Sequence, residues 1–202
     1  MTTPEHPRLN LGCGFRKLND FWNVDIEARC NPDQVIDLDI TPWPWPNDFF
    51  EKIHADNILE HLGPQPRDFA AIVQEMYRVS KDQAEWYINV PHHRCDNAFD
   101  DFTHRRFLTS GTFKLFDQKF NHHTIQTHQA HSTFGLDFGV DIEIYDITYN
   151  IVNYWRQQQE EGMLAPKQLD INLNTLSNVA ESVNIFCRVH KPGRMGHLYT
   201  AK

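Results

Sequence analysis

Short apolar runs separated by polar turns fill the first half of the chain, and one longer amphipathic stretch interrupts them. Leu9 and Leu11 alternate with Arg8 and Asn10 and run into Gly12-Cys13-Gly14, a pattern that predicts a short strand closed by a tight turn. FWNVDI, residues 21–26, reads as a second strand ending near Asp25. QVIDLDI, residues 34–40, reads as a third, rich in β-branched and aliphatic side chains, and FFEKIHA, residues 49–55, as a fourth running out to Asp56 and Asn57. Only FRKLNDF, residues 15–21, separates the first two strands, which is too short for the helix that normally crosses over between parallel neighbours. TPWPWPND must be a loop, because Pro42, Pro44 and Pro46 each remove a backbone donor. Trp43 and Trp45 are expected to pack that loop onto the sheet. From Pro66 onward, Phe69, Ile72, Val73, Met76 and Tyr77 recur at helical spacing, with prolines at the start and Arg78 and Lys81 at the end.

EWYINVP, residues 85–91, supplies a fifth strand stopped by Pro91, and the polar stretch 92–107 after it is a loop at the same sheet edge as the glycines. Residues 109–120 read as a short helix that Thr109 or Ser110 can cap, and 121–132 as an aperiodic surface segment. VDIEIYDITY (140–149) and SVNIFCRVHKP (182–192) are strands six and seven. Between them lies an insertion, residues 150–181, with helices expected around 154–161 and 173–179. Strands alternating with helical stretches predict an α/β fold with a mainly parallel sheet and right-handed crossovers, the last strand antiparallel.

A length of 202 residues suits one domain, able to bury about 70% of its unfolded surface. No run approaches the roughly 18 apolar residues of a membrane span, and MTTPEHPR lacks the pattern of a secretory signal. Cys13, Cys30, Cys95 and Cys187 show no paired metal-ligand spacing, and the expectation is a cytoplasmic chain with reduced thiols. The net charge of -8 disfavours unspecific attraction to nucleic acid. Nine of the twelve histidines fall between His54 and His131, yet histidines scattered over loops are ordinarily solvated or simple core donors, and no metal is assigned.

In open α/β sheets ligands sit beyond the carboxyl ends of the strands, where Gly12 and Gly14 let the backbone approach closely and Asp25 stands where an acid accepts hydrogen bonds from a ribose diol. Asp37 lies within the third strand, where it can also be simply an exposed strand residue. The loop after strand five has three readings. His92, His93 or His104 can act as a base oriented by Asp101; the same histidines with Asp96 can ligate a metal, though without H-x-x-x-H spacing; or Asp101 and Thr103 merely satisfy backbone donors while Arg105 and Arg106 stay solvated. His61 is read as part of a helix start, and residues 122–132 as the alternative acceptor-facing segment.

The order LNLGCG, NVDI, VIDLDI with a Pro-Trp loop, HADNILEHL, an amphipathic helix and WYINVPHH resembles the class I S-adenosylmethionine-dependent methyltransferases, over roughly residues 9–113. It looks closest to their short methyltransferase type 11-like branch. The resemblance implies a Rossmann-like, mainly parallel seven-stranded sheet flanked by helices, with a shortened first crossover. It also implies S-adenosyl-L-methionine as cofactor, with Gly12 and Gly14 along its methionine part, Asp25 on the ribose, Asp37 and Leu38 at the adenine, and Asp56 and Asn57 bordering methionine and acceptor. Asn10, Cys13 and Ile26 complete the cofactor-binding set. Asn10 stands where an acid is usual, and Arg16 where a third glycine often stands. The implied activity is methyl transfer to a small molecule, sugar or lipid head group. The alternatives are a lyase-type reaction on the same cofactor and a degenerate cofactor-binding interaction module.

Overall fold

The computed structural model describes residues 4–199. Its seven strands are β1 (Arg8–Leu11), β2 (Trp22–Asp25), β3 (Gln34–Val35), β4 (Phe50–Asp56), β5 (Ser80–Pro91), β6 (Ile142–Ile151) and β7 (Ala180–Val189). They form one sheet in the order β3-β2-β1-β4-β5-β7-β6. The first five strands run parallel, while β7 is antiparallel to both β5 and β6. The parallel strands therefore deliver their carboxyl ends, and the loops that follow them, to one edge.

Alternation along the strands sorts residues onto two faces. Phe50, Ile53 and Ala55 of β4, Trp86, Ile88 and Val90 of β5, and Val183, Ile185, Cys187 and Val189 of β7 are all buried in one core. Helix α1 (Pro66–Val79) lays Phe69, Ile72, Val73 and Met76 into that core. Its end is tied to the Pro-Trp loop, since Arg78 donates to the carbonyls of Trp43 and Trp45 and pairs with Glu75 at 2.7 Å. Trp43 and Trp45 are accordingly buried, edge-on to each other at 5.4 Å.

The opposite face holds a different set. Phe21, His54, Tyr87, Phe186 and Tyr145 form a continuous aromatic row from the β2 edge to β6, with His54 stacked on Tyr87 at 4.5 Å. The β1–β2 connection is a turn and the β2–β3 connection only a 3-10 turn, Ala28–Cys30, so these crossovers bring no α-helix to the sheet.

Several elements differ from the sequence expectation for local reasons. Strand three stops at Val35, because the Asp37 side chain accepts the Asp39 N–H at 2.9 Å and turns the chain. The helix expected over 109–120 is split into α3 (Ser110–Lys114) and α4 (Gln118–Gln126), where the Asp117 carboxylate caps a new start by accepting from Lys119 and Phe120. Helix α4 also takes in the first half of the segment read as aperiodic. Short helices α2 (Asn97–Asp100) and α5 (Phe134–Asp137) lie in the loops on either side. Between β6 and β7, α6 (Asn153–Glu160) and α7 (Pro166–Thr175) pack around Leu169, Leu173, Val179 and Ala180. The second of these begins earlier than expected because Pro166 occupies its first turn. No helix among the described residues is long and apolar enough to cross a membrane.

Candidate functional site

Side-chain amides hold the glycine turn where a crossover helix would otherwise begin. Asn10, almost fully buried, donates to Asn23 Oδ1 at 2.9 Å and to the Arg16 carbonyl at 3.2 Å. Asn23 in turn accepts from the Leu18 N–H and donates to the Leu18 and Phe21 carbonyls. The turn then folds onto Asp25, whose Oδ2 accepts the Gly14 N–H at 2.7 Å and whose Oδ1 accepts the Glu27 N–H at 2.8 Å. Each oxygen keeps a second lone pair. Gly12 has φ +60°, and a Cβ there would stand 2.5 Å from the Ile58 side chain. A Cβ at Gly14, φ +48°, would meet nothing within 4 Å.

Beyond the ends of β1 and β2 lies a cleft of about 200 Å³. Gly12, Asp25, Ile26, Asp37 and Leu38 line it, faced by Ile58, His61 and Arg105. Of the other residues assigned to the cofactor, Asn10 is spent on the amide network. Cys13 is buried beside Gly14, its thiol pushed up to about 11 by burial and then by Asp25. Asp56 reaches toward Arg16, at 3.7 Å, and Asn57 lines the adjoining cavity. Arg105 closes the cleft from the loop after β5, its guanidinium 2.6 Å from Asp39, which also accepts the Gly63 N–H.

The adjoining cavity, about 630 Å³, is bordered by Asn57, Glu60, His61, Pro91, Asp101 and His104 among others. His61 forms part of the wall of both spaces. Glu60 and His61 sit in a 3-10 turn, Leu59–His61, directly after β4. The backbone N–H of Arg105 bonds to the Glu60 carbonyl at 2.8 Å, which fastens the distant loop onto that turn. His61 Nδ1 lies 2.9 Å from Thr103 Oγ1, and that hydroxyl donates to Asp101 Oδ1 at 2.6 Å. The hydroxyl proton is therefore committed, and His61 Nδ1–H is the donor. His104 Nδ1 lies 2.8 Å from the Ala98 carbonyl, which can only accept, so this ring also carries its proton on Nδ1. Burial lowers the His61 pKa, and the neighbouring His104 lowers it further. Burial raises the Glu60 carboxyl to about 7.

The remaining loop residues go elsewhere. His92 is buried, its ring tilted against that of His93 and edge-on to Tyr149, and burial holds both imidazoles below their usual range. Asp96 pairs with the Asn178 amide at 2.9 Å. The grouping of His92, His93 and His104 with Asp96 is thus not assembled. His104 joins Glu60 and His61 instead, and Asp101 orients His61 through Thr103. Reading the loop by itself missed this, and the signal available was a glutamate and a histidine enclosed by Leu59 and Leu62. A third cavity, about 550 Å³, is apolar, lined by Phe69, Leu108, Phe116, Phe134 and Phe138 with arginines beside them. It lies between α1 and the 107–138 segment rather than at the strand ends.

No protein-family model and no curated protein matches the chain. Solved structures do. A SAM dependent methyltransferase from Archaeoglobus fulgidus aligns with 92% of this chain and 87% of its own, at TM-score 0.55 and 14% identity. The YcgJ protein from Bacillus subtilis aligns with 95% and 94%, at TM-score 0.51 and 13% identity. The fold is that of the class I S-adenosylmethionine-dependent methyltransferases. At such identities the likeness concerns architecture, and the chemistry must be argued from the site.

Proposed function

We propose that this chain is an S-adenosylmethionine-dependent methyltransferase acting on a small-molecule acceptor. The observation that carries the reading is the pair of adjoining spaces at the carboxyl ends of the parallel strands, one with Asp25 and Asp37 and the other with polar side chains, sharing His61 as a wall. Ligand pockets usually measure about 300–1,000 Å³. The cleft alone is too small for the whole cofactor, whereas cleft and cavity together have room for cofactor and acceptor end to end.

The residues present fit the cofactor. Asp25 would hold the ribose hydroxyls with its free lone pairs, while Ile26, Ile36, Leu38 and Leu62 offer apolar walls to the adenine beside Asp37. Asn57 stands at the passage toward the acceptor. When bound, S-adenosylmethionine supplies a sulfonium methyl, an electrophile whose sulfur leaves as a neutral thioether. The protein's part is then alignment and exclusion of water, and orientation of this kind is worth about 7–11 kcal/mol of barrier. The Arg105–Asp39 pair and the loop that carries it cover the cleft. Among the loop residues assigned to catalysis, Asp101 and His104 border the acceptor cavity.

The interaction-module reading has one observation in its favour, the commitment of Asn10 to internal hydrogen bonds. Calorimetry with S-adenosylmethionine and S-adenosylhomocysteine separates binding from none, and transfer of labelled methyl to metabolites of a cell extract separates enzyme from module. Saturable binding with labelled product supports the proposal. Binding without transfer leaves the module.

A further inference from the structure

We infer that Glu60, His61 and His104 form a binding site for a divalent transition-metal cation at the wall of the acceptor cavity. One ligand atom from each of these side chains lies within 4.8 Å of the others. The two imidazole rings meet edge-on, with centroids 4.7 Å apart. An independent feature marks the same place. Glu60 is 2% exposed, and neither of its carboxylate oxygens has a hydrogen-bond partner among the described residues. A buried carboxylate without partners is costly, and the ordinary remedies are protonation, a counter-charge or a metal.

The histidines are prepared for the same ligand. Both commit Nδ1–H outward, His61 to Thr103 and His104 to the Ala98 carbonyl, so both turn an unprotonated Nε2 lone pair to the other side. Metal-binding imidazoles are fixed in this manner, with the second nitrogen donating to a carbonyl or to a group held by a carboxylate. Here Asp101 behind Thr103 completes that outer shell. With Glu60 ionised, the three side chains are acceptors without a donor among them, an arrangement that suits a cation. Two imidazoles with one carboxylate select zinc, manganese, iron or cobalt in the divalent state over magnesium, which prefers all-oxygen ligands. Ligand atoms around such an ion stand about 3.0–3.5 Å apart, given bonds of about 2.1 Å, so small side-chain rotations suffice to close the set.

Three protein ligands leave positions open toward the cavity. The role assigned to them rests on the methyltransferase reading: a cation there takes an acceptor hydroxyl as its next ligand and lowers the pKa of that hydroxyl. The hydroxyl proton leaves to solvent, the new O–C bond forms as the S–C bond breaks, and the electron pair of that bond goes to sulfur. The acceptor class is accordingly an oxygen nucleophile that can ligate a metal.

The test is direct titration of chelator-stripped full-length protein with Zn²⁺ and with Mn²⁺ by calorimetry, together with the visible spectrum of the Co²⁺ form. The expected result is one ion per chain, with affinity falling at least ten-fold in Glu60→Gln and His104→Ala. Thr103→Val, which removes only the outer-shell partner, is expected to weaken binding about 10- to 100-fold. Circular dichroism melting of each variant identifies any that fails to fold, and Thr103→Val, on an exposed loop, keeps the test decisive. No stoichiometric uptake, or uptake unchanged in the folded variants, overturns the site. So does capture of methylammonium in place of all three ions, which would make the three acceptors a receptor for an amine. Titration of the same preparations with S-adenosylhomocysteine keeps the two readings separate: cofactor bound without metal refutes this inference alone, and metal bound without cofactor refutes only the proposed activity.

Discussion

Two glycines two residues apart share a left-handed backbone, yet they are expected to respond very differently to the same substitution. Alanine at either position must adopt the left-handed region, at a cost of about 1–2 kcal/mol. At Gly14 that is the whole cost, because a Cβ there meets nothing within 4 Å. At Gly12 the new methyl would lie 2.5 Å from Ile58 Cδ1 and Cγ1 and 2.9 Å from its Cβ. Rotation of Ile58 relieves the first two contacts but not the third, so the backbone after β4 must shift, adding about 1–3 kcal/mol of overpacking. Gly12→Ala is therefore expected to lose roughly 2–5 kcal/mol and Gly14→Ala roughly 1–2 kcal/mol. Urea unfolding followed by tryptophan fluorescence measures both. The double variant Gly12→Ala/Ile58→Gly removes the clash, Cβ contact included, and is expected to be less destabilised than the sum of its single variants. Because Gly12 and Ile58 both line the cleft, affinity for S-adenosylhomocysteine is expected to fall with Gly12→Ala and to stay within a few-fold with Gly14→Ala. Equal losses of stability for the two alanine variants, or strict additivity in the double variant, would refute the assignment of the clash.

Asp25→Asn exchanges a carboxylate that receives two backbone N–H groups for an amide with one acceptor oxygen, so either Gly14 or Glu27 loses its partner. Hydrogen bonds to a charged group are worth about 1.5–3 kcal/mol, so S-adenosylhomocysteine affinity is expected to fall at least ten-fold in calorimetry, and unchanged affinity in a folded variant would remove Asp25 from the site. A pH dependence comes from Asp33. Burial raises its pKa, but Lys17 at 2.9 Å and the Asn23 donors outweigh burial and hold it below the ordinary carboxylate value near about 3.9. A depressed folded-state pKa contributes stability above the unfolded value and loses it as pH falls through the folded one. The stability difference between wild type and Asp33→Asn is thus expected to be flat above about pH 5 and to shrink below about pH 4, and urea midpoints that shift in parallel throughout would contradict it.

What the sequence made legible was whatever its neighbours in the chain decide. Phe69, Ile72, Val73 and Met76 marked α1 because a helical period needs no distant partner. Gly12 and Asp25 were legible at the strand ends because the strands before them are short and alternating, Asp37 only through the family resemblance, and the tryptophans by their size. The end of β3 was hidden because a single Asx contact, Asp37 to Asp39, overrides the strand-like composition of residues 36–40. The break between α3 and α4 was hidden in the same way by Asp117. Harder still was the convergence of Glu60 and His61 with His104, more than forty residues away. It depends on the Arg105 N–H meeting the Glu60 carbonyl and on Arg105 reaching Asp39, contacts that leave no periodic trace. His92 and His93, adjacent to the same strand end, looked equally suitable in one dimension, and the side of the strand they fall on decided otherwise.

The short first crossover has consequences at both ends of the sheet. A helix there would have packed on the face that now displays Phe21, His54, Tyr87, Phe186 and Tyr145, and would have presented its N-terminus behind the glycine turn. In its absence the turn is held by Asn10 and Asn23, which satisfy the carbonyls of Arg16, Leu18 and Phe21 that a helix would have bonded internally. Amide groups perform this service without net charge. That explains why a buried asparagine suits the position before the glycines: an isolated carboxylate at 2% exposure would face the same carbonyl oxygens as an acceptor with nothing to donate. The charge that the turn does need is provided one strand over by Asp25, which collects the Gly14 and Glu27 N–H groups while still bordering the cleft. Placing the acid on β2 instead of β1 thus lets one carboxylate hold the turn and remain available to a ligand, and it ties the geometry of the cleft to a connection only seven residues long at residues 15–21.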